Sequence, residues 1–286
     1  MYIKTLLIFV LSFSAYGQSV VTTLPEFAWV VKNLAPNLKV ISLLEGTEDP
    51  HFVDASPGFV FKVAKADLVV FNGLQLEIGW LPKILELSGN EKVQMGSKGY
   101  CDASKDVQKI EVLNNFNRSM GDVHPVGNPH YSLSLPRMIE AAQSIRDCLV
   151  LMDIDEVKLN ENYKKLAEKL NAKFVELKTK IKPQNFYVYH REFNYLKKDF
   201  NLDFLKSLEK VPGVLPSATY LSKLAIESKK DKPSQVLAGY TSPRKILEKF
   251  KELAHIDYVK IPLHPKPDED YLDFIEKVML QITKNP

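Results

Sequence analysis

The sequence predicts an α/β protein of two lobes, each built on a parallel sheet, joined by one long rigid helix. Two observations carry this. Short β-branched runs alternate with helical stretches in both halves of the chain, and one long amphipathic segment separates the halves.

Residues 1–17 come first: Lys4, an apolar stretch from Leu6 to Phe13, then the small-residue pattern Ala15-Tyr16-Gly17. That pattern predicts a secretory signal peptide, cleaved near Gly17/Gln18, because a membrane-spanning helix needs about twenty apolar residues. No Cys follows the apolar stretch to take a lipid anchor, so a freely diffusing periplasmic protein is expected. An N-terminal lobe over 18–155 holds the strand-like runs Val20 to Leu24, Val40 to Leu44 and Leu68 to Phe71, with a helix from Glu26 to Leu34. Its stretch from Ser97 to Gly121 is polar and weakly periodic, and reads as a surface excursion. The linking helix, 156–181, places Leu159, Tyr163, Leu166, Leu170, Phe174 and Leu177 on one face and stops before Pro183. At 1.5 Å per residue it runs about 39 Å, enough to act as a spine. The C-terminal lobe, 182–286, resumes with Phe186 to Tyr189, Val236 to Gly239 and Tyr258 to Leu263. A mature chain of about 270 residues is long enough for each lobe to bury its own core.

Composition narrows the function. Hydrophobic residues make up 45% and charged residues 26%, and the formal charge is only +3, one unit less once Lys4 leaves. So mild a balance gives no basis for binding nucleic acid. Cys101 and Cys148 are the only cysteines and match no Cys-x-x-Cys motif. In an oxidising compartment they pair only if their Cα atoms lie within about 7 Å, which the sequence leaves open.

The histidines carry the chemistry. His51 follows the second strand-like run, His190 ends the fourth and His264 follows the last, all at carboxyl ends of strands, where open α/β sheets place their ligand crevice. His130 sits in the turn-rich Gly127-Asn128-Pro129-His130, just before a helical stretch near Leu135. Two histidines from each lobe could therefore face one interlobe cleft. Imidazoles converging in that number satisfy a tetrahedral Zn²⁺. His255, in a lysine-rich helical setting, reads as an ordinary surface residue, and the role of His124 stays open between a ligand, a supporting residue and a loop residue.

Several motifs resemble those of the zinc and manganese solute-binding proteins of ABC transporters, the ZnuA/TroA-like family. They are Glu48-Asp49-Pro50-His51; Ala66-Asp67-Leu68-Val69 with Phe71-Asn72-Gly73-Leu74-Gln75-Leu76-Glu77-Ile78-Gly79-Trp80-Leu81; Gly127-Asn128-Pro129-His130-Tyr131; Val188-Tyr189-His190 with Phe193 and Tyr195; and Pro212-Gly213-Val214-Leu215-Pro216-Ser217-Ala218. The resemblance covers essentially the whole mature chain. It implies a long central helix with limited hinge motion, a metal site between the lobes and delivery of the ion to a membrane permease by a monomeric carrier. His51, His130 and His190 match the family's metal-binding histidines, while His264 stands where the family commonly has an aspartate. The His-rich acidic loop of many zinc members is missing between Ser97 and Gly121.

An all-imidazole set favours Zn²⁺ over Mn²⁺, which prefers carboxylate oxygen. Manganese carriers of the family tend to have an acid where this chain has His190. The fourth position is open between His264, Glu192, Asp268 and water. The alternatives are a manganese carrier or, in another class, a secreted zinc hydrolase. The hydrolase reading is weakened by the lack of a His-Glu-x-x-His motif and by candidate ligands scattered over four loops.

Overall fold

The structure, a computed structural model, describes residues 18–117, 120, 121 and 123–283; the expected signal segment lies outside them. In the first half β1 (Ser19–Thr22), α1 (Pro25–Leu34), β2 (Lys39–Ser42), α2 (Pro57–Ala64), β3 (Leu68–Phe71), α3 (Leu81–Ser88), β4 (Tyr100–Asp102) and α4 (Leu135–Leu151) follow in order. The four strands form a parallel sheet in the order β2-β1-β3-β4. All four residues of β3, Leu-Val-Val-Phe, are buried, as expected of an inner strand covered by helices on both faces. Helices α1 to α4 each carry a proline in the first turn, where the missing N–H costs no hydrogen bond. Ser56 and Ser134 cap α2 and α4 by accepting from the amides of Phe59 and Arg137.

The second half repeats the plan. After α5 (Glu156–Lys180) come β5 (Asn185–Val188), α6 (Asn194–Phe200), β6 (Asp203–Ser207), α7 (Ala218–Asp231), β7 (Val236–Gly239), α8 (Arg244–Ala254), β8 (Tyr258–Ile261) and α9 (Tyr271–Thr283). Its strands are also parallel, in the order β6-β5-β7-β8. The long helix α5 touches both halves. Asn162 donates to the Leu34 carbonyl at the end of α1 at 2.8 Å, while Lys173 pairs with Glu276 of α9 at 2.9 Å. Among the described residues no helix is long and apolar enough to cross a membrane.

Three features differ from the expectations. The strands β4 and β6 were not anticipated, and β4 lies inside the stretch read as a surface excursion. Cys101, at its centre, is fully buried and disulfide-bonded to Cys148 of α4, with 5.9 Å between their Cα atoms. The third difference is the core, which does not divide between the lobes. One apolar cluster runs from the first sheet through α4, α5 and α9 to Phe186, Val188, Leu237 and Ile261 on the inner face of the second sheet. The alternate residues Tyr187, Val236 and Ala238 point the other way, into a smaller cluster with Leu221, Leu247 and Phe250 under α7 and α8.

Candidate metal centre

His51 and His130 are presented by the same local device. In Asp49-Pro50-His51, the Asp49 Oδ1 accepts both the backbone N–H of His51 at 3.0 Å and its ring Nδ1–H at 2.8 Å. In Asn128-Pro129-His130, the Asn128 Oδ1 does the same for His130, at 2.9 Å in each bond. The intervening proline fixes φ and brings no competing donor, so a short Asx side chain can close this turn on the residue two positions on. Asn128 cannot be flipped, because its Nδ2 donates to Glu111 Oε2 and to the Arg191 carbonyl, both at 3.0 Å. Its Oδ1 therefore faces His130, Nδ1 carries the proton, and Nε2 holds the lone pair.

His190, just beyond β5, and His264, beyond β8, are oriented by distant carboxylates. Glu209 Oε2 accepts from His190 Nδ1 at 2.8 Å and from the Gly213 amide at 3.2 Å. Gly213 has φ +73, so the Pro-Gly turn supplies a backbone donor in a conformation that favours glycine. Glu26, in the first turn of α1, accepts from His264 Nδ1 at 2.8 Å. Imidazoles held this way, by an oxygen on Nδ1, present Nε2 as the ligand nitrogen.

His51, His130, His190 and His264 line one cavity of about 240 Å³. Among the described residues, His51, His130 and His190 form a group whose ligand atoms lie within 4.8 Å of one another, so that one ion could touch all three. His264 lines the same cavity but lies outside that group. The Nε2 atoms of His51, His130 and His264 are buried with no hydrogen-bond partner, an arrangement costly unless a ligand supplies the missing interaction. Burial, with the nearby charges of His51, His190, His124 and His264, holds the His130 pKa well below the ordinary histidine value, so it is neutral and ready to ligate. For His264 burial also works downward, but the charge and hydrogen bond of Glu26 outweigh it and hold the pKa above the ordinary value.

Other candidates separate cleanly. Glu192 lines the cavity, is 6% exposed, and has an unpaired buried Oε2; burial raises its pKa against the pull of His190 and His51. Asp268, by contrast, has a side chain 97% exposed and pairs with Lys32 on the surface at 3.7 Å. The His124 ring lies 5.2 Å from that of His51 and 6.3 Å from that of His130, beside the group and outside it. His255 is exposed and ends α8 with φ 54, a capping residue remote from the cleft.

The Asn72–Trp80 motif supplies no candidate ligand and instead braces two histidine loops. Trp80 Nε1 donates to the Pro50 carbonyl at 2.8 Å, and Asn72 Nδ2 donates to the Pro129 carbonyl at 3.1 Å. Glu77 holds the motif's own turn by accepting from the Thr23 hydroxyl and the Asn72 and Gly73 amides. Its burial pushes its pKa up to about 7 in spite of those donors.

Known proteins share this architecture. The crystal structure of ZnuA superposes with a TM-score of 0.77 at 21% identity, over 93% of this chain and 98% of that one, a likeness of fold. The zinc-binding lipoprotein AdcA of Streptococcus pneumoniae is 26% identical over 278 residues, 91% of this chain and 54% of AdcA. The manganese ABC transporter substrate-binding lipoprotein scaA of Streptococcus gordonii is 31% identical over 173 residues, 59% of this chain and 53% of that protein. The chain thus spans about half the length of these curated relatives. The family described as ZnuA, zinc-uptake complex component A, periplasmic, matches residues 20–285, and the chain belongs to that family.

Proposed function

We propose that this protein is the metal-binding component of an ABC transporter, capturing Zn²⁺ in preference to Mn²⁺ and delivering it to the membrane permease. The observation that carries this reading is the convergence of three imidazoles within 4.8 Å, on a cavity that also holds the unpaired Nε2 of His264. His51, His130 and His190 bind the ion, and His264 completes a tetrahedral shell as the loops of the cleft settle around it. Nitrogen ligands at about 2.0–2.1 Å suit Zn²⁺, whereas Mn²⁺ stands lowest in affinity for such a set. Each imidazole enters as a neutral ligand with Nδ1–H already engaged, so the chain spends little on orienting it. In this reading the ion is cargo with no chemical turnover, and the protein acts in the periplasm after cleavage near Gly17/Gln18.

One observation favours manganese as the second reading. Glu192 Oε2 is a buried, unpaired carboxylate oxygen lining the same cavity, and a shell including it would suit a harder ion. Mature protein purified without added metal, analysed for metal content and then titrated with Zn²⁺ against Mn²⁺, separates the two. The zinc reading expects one ion per chain and displacement of Mn²⁺ by stoichiometric Zn²⁺. Mn²⁺ retained against equimolar Zn²⁺ would overturn it.

A further inference from the structure

We propose that Glu26 is a positioning residue for the metal site: reaching across the seam between the lobes, it fixes the tautomer and place of His264. The inference rests on the reading of His264 as a ligand. Glu26 and His264 are 238 residues apart, on opposite halves of the chain. Glu26 is completely buried and His264 is 8% exposed, so their 2.8 Å hydrogen bond is sealed from water. A carboxylate can only accept in this bond, so it holds the proton on Nδ1 and leaves the lone pair on Nε2, the buried atom without a partner beside the cavity.

The contact belongs to a longer seam. Glu26, Trp29 and Lys32 follow one another at intervals of three, on one face of α1. Trp29 Nε1 donates to Asp270 Oδ2 at 2.9 Å, and its ring lies 5.3 Å from that of Tyr271. Lys32 pairs with Asp268. One face of the first lobe's leading helix therefore grips the segment that carries His264 in the second lobe. Gly46, at φ +85, closes the seam from the other side, where a Cβ would meet the Pro265 carbonyl oxygen at 2.2 Å. The candidate ligand outside the group of three is thus located by the lobe it does not belong to.

Charge supports the same assignment. A neutral imidazole returns no negative charge to a dication, but a carboxylate hydrogen-bonded behind it does so at one remove. Asp49 and Glu209 stand behind His51 and His190 in this way, and Glu26 stands behind His264. The second oxygen of Glu26, Oε2, is buried without a partner, so a cation nearby stabilises a group that the protein itself leaves half satisfied.

A double-mutant cycle on the mature protein tests this, with Zn²⁺ affinity read by competition with a chromophoric chelator and site geometry by the visible spectrum of bound Co²⁺. His264→Ala is expected to weaken Zn²⁺ at least tenfold. Glu26→Gln, which keeps the shape and removes the charge, is expected to weaken it about tenfold and to alter the Co²⁺ spectrum, within the 10–100-fold range for partners of metal-bound histidines. In the His264→Ala background, Glu26→Gln should change neither readout, because its effect passes through the imidazole. Should Glu26→Gln fail to fold, Glu26→Asp, which keeps the charge but shortens the reach, carries the same comparison. Equal losses in both backgrounds, or parental affinity in Glu26→Gln beside a weakened His264→Ala, overturn the role of Glu26 and leave His264 as a ligand. Parental affinity in His264→Ala overturns both.

Discussion

Replacing His130 by alanine should separate metal binding from folding. The ring is 9% exposed, its Nδ1 is held by Asn128, and its Nε2 is buried without a partner. In the metal-free protein that orphaned nitrogen destabilises the fold by roughly 1–3 kcal/mol, and alanine removes it. The vacated volume acts in the opposite direction, by about 2–4 kcal/mol for a truncated core side chain. The terms largely offset each other, so the metal-free variant should melt within a few degrees of the parent. Zinc should distinguish them. Losing one of three converging ligands weakens affinity by about 100-fold, at least the upper end of what disturbing an outer partner costs. In excess metal that removes about 2.7 kcal/mol of ligand-linked stability. For a protein of this size the zinc-induced rise in Tm should shrink by about 5 °C. Calorimetric melts with and without Zn²⁺, run beside the chelator competition, measure both quantities. A His130→Ala protein that keeps the full zinc-induced rise would remove His130 from the site. One that is already unfolded without metal would assign it to the core.

Three further outcomes are expected. Zinc affinity should be level above the raised His264 pKa and begin to fall while the pH is still above about 6.5, approaching tenfold per unit, since a ligating imidazole must lose its proton; affinity unchanged from pH 7.5 to 5.5 would exclude an imidazole site. In the metal-free protein the Glu26–His264 pair acts in the other sense, because a raised folded pKa gives stability that is complete below about pH 6.5 and lost as pH rises through the folded value; the Glu26→Gln protein should lack that contribution in urea titrations across the range. Cys148→Ser should cost about 4 kcal/mol, from the 47-residue separation it opens, with zinc stoichiometry unchanged; urea unfolding midpoints would show it, and an unaltered midpoint would contradict the buried β4–α4 bridge.

The parts legible in the sequence were those whose partners are local. The run Leu-Val-Val-Phe of β3 is apolar throughout because both its faces are covered, and the stripe from Leu159 to Leu177 repeats because one side of α5 is buried. The Asp-Pro-His and Asn-Pro-His turns hold their histidines from two residues away, so the residue that orients each one lies inside its own motif. What the sequence does not mark depends on distance along the chain. The strand β4 is three residues long in a polar stretch, and only its pairing with β3 and the bond from Cys101 to Cys148 bury it. The strand β6, Asp-Phe-Leu-Lys-Ser, is half-buried at every position, so its composition lacks the signal of an inner strand. Glu209 and Glu26 have nothing in their own segments to mark them as partners of His190 and His264. The shared core was hidden for the same reason: Phe186 and Val188 look like any inward-facing pair until the sheet they serve is seen to pack toward α5 and α9.

That shared core bears on how an ion bound as proposed would be released. Two lobes with separate cores and a flexible connection would open by swinging. Here α5 is fastened to both halves, the apolar cluster passes between them, and polar ties cross the seam beside the candidate ligands. Asn128 donates to the Arg191 carbonyl, and the Tyr195 hydroxyl donates to the Asn128 carbonyl at 2.9 Å, so the His130 and His190 loops are bonded to each other. On the opposite side Glu26 holds His264. A wide hinge motion would have to break these bonds and expose core side chains together, whereas shifting a loop on one side breaks only a few hydrogen bonds. For the proposed role as a metal carrier, exchange is therefore expected to be a local event that shifts a loop without swinging the lobes. Scattering profiles of the metal-free and zinc-loaded protein should nearly superimpose, and a contraction of several ångströms in the radius of gyration on adding zinc would show that the cross-ties do not govern the motion.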